Sequence, residues 1–270
     1  MNPQAPHTLP ITREKLLENA RQLARIFEPI ATEAPYEAKG VLFSEILFVL
    51  AAAWPDVPKR LFESGRAAGV STYLLSASFP NSQIISIERD PHSPDVALAQ
   101  NNLQKCSNVN SLFGDSRKLL LAQVQPEDFV VIDGPKEIRA LKLAFRLLWK
   151  RRPRALFIHD CCRGSIERAV LENLYPGCLF SDDPEFVQDF QYLDQRCWNK
   201  METLCQEGLR LPHLEKSSKP SYGPTFALLQ PRTALPFPLL LFLLFILELG
   251  LKIRRFFLRF LPKTPGNAPA

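Results

Sequence analysis

Five acidic residues recur at one kind of place in this 270-residue chain, each closing a short apolar run. They are Glu63 in Glu63-Ser-Gly65-Arg-Ala-Ala-Gly69-Val-Ser71, Glu88 in Glu-Arg-Asp, Asp115 in Gly-Asp-Ser116, Asp133 in Asp-Gly-Pro-Lys136, and Asp160 in His159-Asp-Cys-Cys. One acid at a strand end is ordinary surface chemistry. Five in register would be costly unless they were organised around ligands or a cation. Neighbouring parallel strands lie about 4.8 Å apart, so Asp133 and Asp160 could share a divalent ion. Cys161 stands next to the second acid and is a poor ligand for magnesium. His159 would suit a softer ion, but strand alternation points it away from the side used by Asp160.

The segments that must position these residues alternate. Short strands are expected at 59–63, 83–88, 109–113, 128–132 and 155–159, with helices at 71–78, 93–106, 116–124, 137–150 and 165–173. Strands of about five apolar residues alternating with helices predict an α/β fold, a Rossmann-like doubly wound and mostly parallel sheet covered on both faces. Two helices precede it. Residues 11–28 are amphipathic, capped by Thr12 and closed by Pro29, and 43–54 are apolar enough to be buried. Residues 186–198 suit either a strand or a helix, 216–220 a polar loop, and 222–230 a late strand. In a parallel sheet the ligand crevice lies beyond the C-terminal strand ends, where the five acids stand.

This series resembles the class I S-adenosylmethionine-dependent methyltransferases, and more narrowly the metal-assisted small-molecule O-methyltransferases, over roughly residues 40–174 and the late strand. The resemblance implies that the Glu63 loop is the first cofactor motif, with Ala67 where a middle glycine is usual. Gly65 and Gly69 would let backbone approach the amino-acid part of the cofactor, and Ser71 would meet its carboxylate at a helix N-terminus. Glu88 would accept hydrogen bonds from the ribose hydroxyls, and Asp115 with Ser116 would meet the adenine edge. Asp133 and Asp160 would hold Mg2+ or another divalent cation, and Lys136 would deprotonate the acceptor if its own pKa were depressed. A Gly-rich loop after a strand also suits a dinucleotide, although the compact G-x-G-x-x-G form is absent. A binding or scaffold protein that kept the fold and lost the reaction is the other alternative. Phe186, Tyr192, Trp198 and Tyr222 either line an acceptor pocket or belong to the core.

The chain carries a net charge of +5, and residues 232–270 hold six basic residues against one acid. Residues 1–231 are therefore net neutral, which argues against nucleic acid as a partner. The six cysteines form no CxxC spacing, no secretory signal opens the chain, and reduced thiols in a cytosolic body are expected. Two regions follow: a methyltransferase-like domain at 1–231 and a membrane-associating tail at 232–270. In the tail, 13 apolar residues run from 235 to 247 before Glu248 interrupts, whereas a crossing needs about 20. Residues 253–261 continue as a basic amphipathic helix, and 262–270 as a frayed end. The tail could attach in-plane or re-entrantly, cross once, or pack on its own body or on a partner subunit, which would make a homo-oligomer. The expected location is the cytoplasmic face of a membrane, as a monotopic or single-pass anchor, beside a small-molecule, lipid-linked or sugar-linked acceptor.

Overall fold

The computed structural model describes residues 10–35, 40–207, 222–231 and 235–258. The polar loop expected at 216–220 and the frayed end at 262–270 lie outside them. The elements in chain order are α1 (Arg13–Glu33), α2 (Phe43–Ala53), β1 (Arg60–Ser64), α3 (Val70–Ser78), β2 (Gln83–Glu88), α4 (Asp95–Asn102), β3 (Val109–Phe113), α5 (Ser116–Gln123), β4 (Phe129–Ile132), α6 (Ile138–Lys150), β5 (Ala155–Ile158), α7 (Ile166–Leu174), β6 (Leu179–Phe180), α8 (Pro184–Phe190), a 3-10 turn (Gln191–Asp194), α9 (Gln195–Gln206), β7 (Ala227–Leu229) and α10 (Phe237–Leu258).

The strands form one sheet in the order β3-β2-β1-β4-β5-β7-β6. The pairings among β1 to β5 are parallel, and β7 runs antiparallel to both β5 and β6. This departs from the 3-2-1-4-5-6 order of dinucleotide-binding sheets, because an antiparallel strand is inserted before the edge. Side chains divide with period two. Leu61, Phe129, Val131, Ala155 and Phe157 face the core under α1, α2, α3, α8 and α9. Phe62, Val130, Ile132, Leu156 and Ile158 face the core under α5, α6, α7 and α10. The strand order reverses between β1 and β4, which sets the ligand crevice there.

Thr12 caps α1 as expected, its hydroxyl accepting from Lys15 N at 3.2 Å. Pro29 does not close that helix; it lies inside it. The buried face continues past it through Ala31 and Ala34, and this packing outweighs an interior-proline penalty of about 3 kcal/mol. All eleven residues of α2 are buried, Glu45 included. The ambiguous 186–198 region is helical, and the two-residue strand β6 was not expected from sequence. Phe48, Phe157 and Phe186 meet edge-to-face and close this part of the core.

The tail begins on the body. Leu240 and Leu244 of α10 are fully buried against the α6 layer, Phe237 meets Phe145, and Glu248 pairs with Lys142. The acid that interrupts the apolar run in sequence thus answers a cation on α6. The opposite face of α10 exposes Leu239, Phe242, Phe245, Ile246, Leu249 and Ile253. Among the described residues no helix is long and apolar enough to cross a membrane. If α10 is docked in solution, Leu244→Ala should cost about 2–4 kcal/mol in urea unfolding of the full chain. A loss under about 0.5 kcal/mol would show α10 undocked.

Candidate active site

The loop between β1 and α3 turns in left-handed backbone, with φ of +95° at Gly65, +44° at Ala67 and +79° at Gly69. A Cβ on Gly65 would lie 2.9 Å from Gly134 N and 3.0 Å from Asp133 C, so only glycine permits this approach. The approach is fastened by Asp133 N and Gly134 N, which donate to Ser64 O at 2.8 and 3.0 Å. Ala67 holds its left-handed position at a cost of roughly 1–2 kcal/mol, and its N–H donates to Glu88 Oε2 at 3.1 Å. The departure from glycine therefore leaves the loop intact.

Glu63 is buried beneath this loop and accepts from the hydroxyls of Ser71, Thr72 and Ser86. Burial raises its pKa, and the three hydroxyls oppose the rise. The structure thus places Glu63 under the crevice as an anchor. The Ser71 hydroxyl is committed to Glu63, because the first turn of α3 directs it inward. Glu88 ends β2 and also accepts from Arg89 N and Asp90 N, at 2.7 and 3.2 Å. Asp115 caps α5 through Arg117 N at 3.0 Å and is gripped by the Arg117 guanidinium. Ser116 Oγ donates to Gly134 O at 3.3 Å. Arg66, which sequence reasoning passed over, is buried with its guanidinium 4.9 Å from the Phe113 ring centre. Burial lowers its pKa against the pull of the Glu63 and Glu88 charges.

Across the switch point, Asp133, Lys136, His159 and Asp160 converge. Lys136 Nζ donates to Asp133 Oδ1, and to Asp160 Oδ2 at 2.5 Å. His159 Nδ1 lies 2.8 Å from Asp133 Oδ1 and 3.5 Å from Asp160 Oδ1, while Nε2 lies 3.3 Å from Glu45 Oε2. The expectation that His159 turns away from this side is corrected. Strand β5 ends at Ile158, and Asp160 takes φ +61°, so alternation no longer applies. Glu45 is the other residue missed. Its signal was a lone acid in an otherwise nearly apolar helix, which must find a partner when buried. Glu45 Oε2 also accepts from Leu42 N at 2.7 Å, and Oε1 is buried without a hydrogen-bond partner among the described residues.

Burial alone would lower the Lys136 pKa, but Asp133 and Asp160 outweigh it and hold the ammonium above the ordinary lysine value. The depressed lysine that would serve as a base is therefore not what this arrangement makes. Burial would raise the Asp133 carboxyl, but His159 and Lys136 hold it well below the usual range. For His159, burial opposes charge, yet Asp133 and Glu45 raise its pKa. Cys161 is buried and its thiol is pushed up by burial.

Beyond the ends of β5, β6 and β7 lies an open cleft of about 530 Å³, lined by Arg163, Asp182, Pro184, Val187, Gln188, Gln191 and Tyr222. Its size suits a small ligand. Tyr222 lines it, while Trp198 supports Tyr222 by donating Nε1–H to its hydroxyl at 2.9 Å. Phe186 is core and Tyr192 is exposed.

Folding raises the Glu45 pKa from 4.5 to about 7, through burial opposed by His159. The folded chain holds this proton more tightly, so the contribution to stability is full below about pH 4.5 and fades as pH climbs through about 7. The stability of the wild type relative to Glu45→Gln should therefore fall between about pH 5 and pH 7, by at most ~3 kcal/mol. Parallel denaturant titrations of both proteins would check it; a constant or rising difference contradicts the assignment.

No family model matches the chain, and no curated protein matches it. Among solved structures it is similar to cofactor-bound Rv0187 from MTB, at 24% identity over 79% of this chain and 90% of that one, with a TM-score of 0.42. It is also similar to the SAH-bound methyltransferase PaMTH1 of Podospora anserina, at 15% identity over 84% and 99% of the two chains (TM-score 0.41). A third is the O-methyltransferase of Bacillus cereus in complex with SAH, at 16% identity over 79% and 90% (TM-score 0.41). Likenesses this distant leave the assignment of activity to the chain's own residues.

Proposed function

We propose that this chain is a class I S-adenosylmethionine-dependent methyltransferase acting on a hydroxyl-bearing acceptor. One observation carries the proposal: the left-handed 65–69 loop, bonded to Glu88, is fastened across the switch point to the strand end that bears Asp133 and Lys136. A nucleoside-binding edge and a charged reaction edge thus share one crevice. The bound cofactor would supply an electrophilic methyl on its sulfonium. Gly65 and Gly69 would admit its amino-acid part, Glu88 would exchange backbone partners for the ribose hydroxyls, and Ser116 with Asp115 would stand at the adenine edge. Lys136, held protonated, would stabilise the acceptor oxygen as it loses its proton. Asp160, at 42% side-chain exposure against 23% for Asp133, would receive that proton. No covalent enzyme nucleophile is needed, and alignment in a dehydrated crevice supplies the rest.

A second reading, a binding protein that retains the fold without the reaction, draws on the same contacts. Glu88 is bonded to its own loop and Asp115 to Arg117. Calorimetric titration of the full chain with S-adenosylmethionine and, separately, NAD decides between the readings. S-adenosylmethionine should bind and NAD should not, and Glu88→Ala should weaken binding about 10- to 100-fold. Asp133→Asn should lower turnover more than cofactor affinity. Absence of cofactor binding, or equal affinity in the Glu88 variant, would contradict the proposal.

We also propose that α10 rests in the surface of a membrane at its cytoplasmic face, holding the crevice near a lipid-linked or sugar-linked acceptor. The support is the outward row Leu239, Phe242, Phe245, Ile246, Leu249 and Ile253, followed in sequence by Lys252, Arg254, Arg255 and Arg259. The full chain should sediment with anionic vesicles, and replacing Phe242 and Phe245 together by Glu should release it. Wild-type protein that stays in the supernatant, or a variant that still sediments, would refute this attachment. A concentration-dependent dimer that the same variant dissolves would assign the face to a second copy instead.

A further inference from the structure

The acids expected to hold a divalent ion lie together. Ligand atoms of Asp133, His159 and Asp160 fall within 4.8 Å of one another. Their hydrogen bonds, however, do not suit a metal. A carboxylate oxygen has no proton to give, so His159 Nδ1 must carry the hydrogen it shares with Asp133 Oδ1 at 2.8 Å. That nitrogen has no lone pair for an ion, and Nε2 is turned to Glu45 at 3.3 Å. Cys161, the chain neighbour of Asp160, is buried, its thiol directed at His159 O at 3.9 Å. Two carboxylates remain, and Lys136 Nζ bridges them, bonding Asp133 Oδ1 and Asp160 Oδ2.

A hard dication such as Mg2+ completes about six oxygen ligands with water, but it needs free carboxylate oxygens to hold it. Here it would gain two carboxylates, displace an ammonium from both, and stand against that displaced charge. Of the acids around the pair, Glu45 faces the far side of the imidazole, Glu63 is taken up by three hydroxyls, and Glu167 accepts from Glu137 N at 2.5 Å. Asp133 is already compensated from two sides. The charge of the cluster therefore balances from within the chain.

We propose that this site works without a divalent metal, with the Lys136 ammonium as its resident cation in the place between Asp133 and Asp160. Lys136 is then the group that draws the acceptor oxygen toward the crevice and steadies its negative charge, at the position where a metal would act as Lewis acid. The part played toward the acceptor rests on the methyltransferase proposal; the exclusion of the metal rests on the side chains alone.

The test is the free Mn2+ electron paramagnetic resonance signal, titrated into the full chain. Wild-type protein should leave the signal undiminished up to millimolar ion. Lys136→Ala, which frees both carboxylates, should take up Mn2+ about tenfold or more tightly than wild type, and adding Asp133→Asn should abolish the gain. Tight uptake by the wild type, lost in Asp133→Asn, would overturn the proposal. A folded Lys136→Ala chain with no gain would overturn the role of Lys136 as occupant, and if that variant does not fold the wild-type titration still decides. Cofactor titration in EDTA separates the two readings. No cofactor binding would end the methyltransferase proposal and leave the metal result standing, whereas cofactor binding lost on chelation would count against a metal-free site.

Discussion

The structure depends on one close approach of backbone to backbone. Where β1 ends, Gly65 lies so near the 133–134 peptide that a Cβ would meet Gly134 N at 2.9 Å. The parallel sheet brings the ends of β1 and β4 side by side, and the strand order reverses between them. Without a side chain at Gly65, the 133–134 peptide reaches Ser64 O at the end of β1, while Gly65 N donates to Ile87 O at the end of β2 at 3.0 Å. A shift of either would move both, so the β2 side and the β5 side of the crevice are mechanically one feature.

Around that approach, the charged groups are arranged in compensated layers. Glu63 is buried and satisfied by three hydroxyls, and the buried Arg66 feels the charges of both Glu63 and Glu88. On the other side Glu45, His159, Asp133, Lys136 and Asp160 alternate in sign from the buried helix α2 to the open crevice. An isolated buried charge is costly, and an alternating row is tolerated because each group has an opposite charge beside it. The two groups at the open end of the row are Lys136 and Asp160, whose side chains are 46% and 42% exposed.

Much of this arrangement was legible in the sequence, for definite reasons. The five strand ends carrying acids, the α/β alternation and the Gly-rich turn all arise from local patterns, and the parallel pairings place those ends on one edge. What was not legible was which partner each acid takes. Glu63 and Ser71 bond one another eight residues apart, and Asp115 is taken up by Arg117; these pairings depend on side-chain direction rather than spacing. His159 was misdirected by strand alternation because the positive φ at Asp160 ends the strand rule one residue early. Pro29 was read as a helix terminator, but core contacts of Ala31 and Ala34 carry the helix past it. Glu248 looked like an interruption of an apolar run until Lys142, more than a hundred residues away, supplied its partner.

We propose that a nucleoside cofactor sits where β1, β2 and β4 end. Hydrogen–deuterium exchange of the full chain with and without S-adenosylhomocysteine tests it most directly. Slower exchange concentrated in segments 64–71, 86–90 and 113–116 is the predicted result. Unchanged exchange in all three at saturating ligand, or protection confined to the cleft around Arg163 and Tyr222, would contradict it.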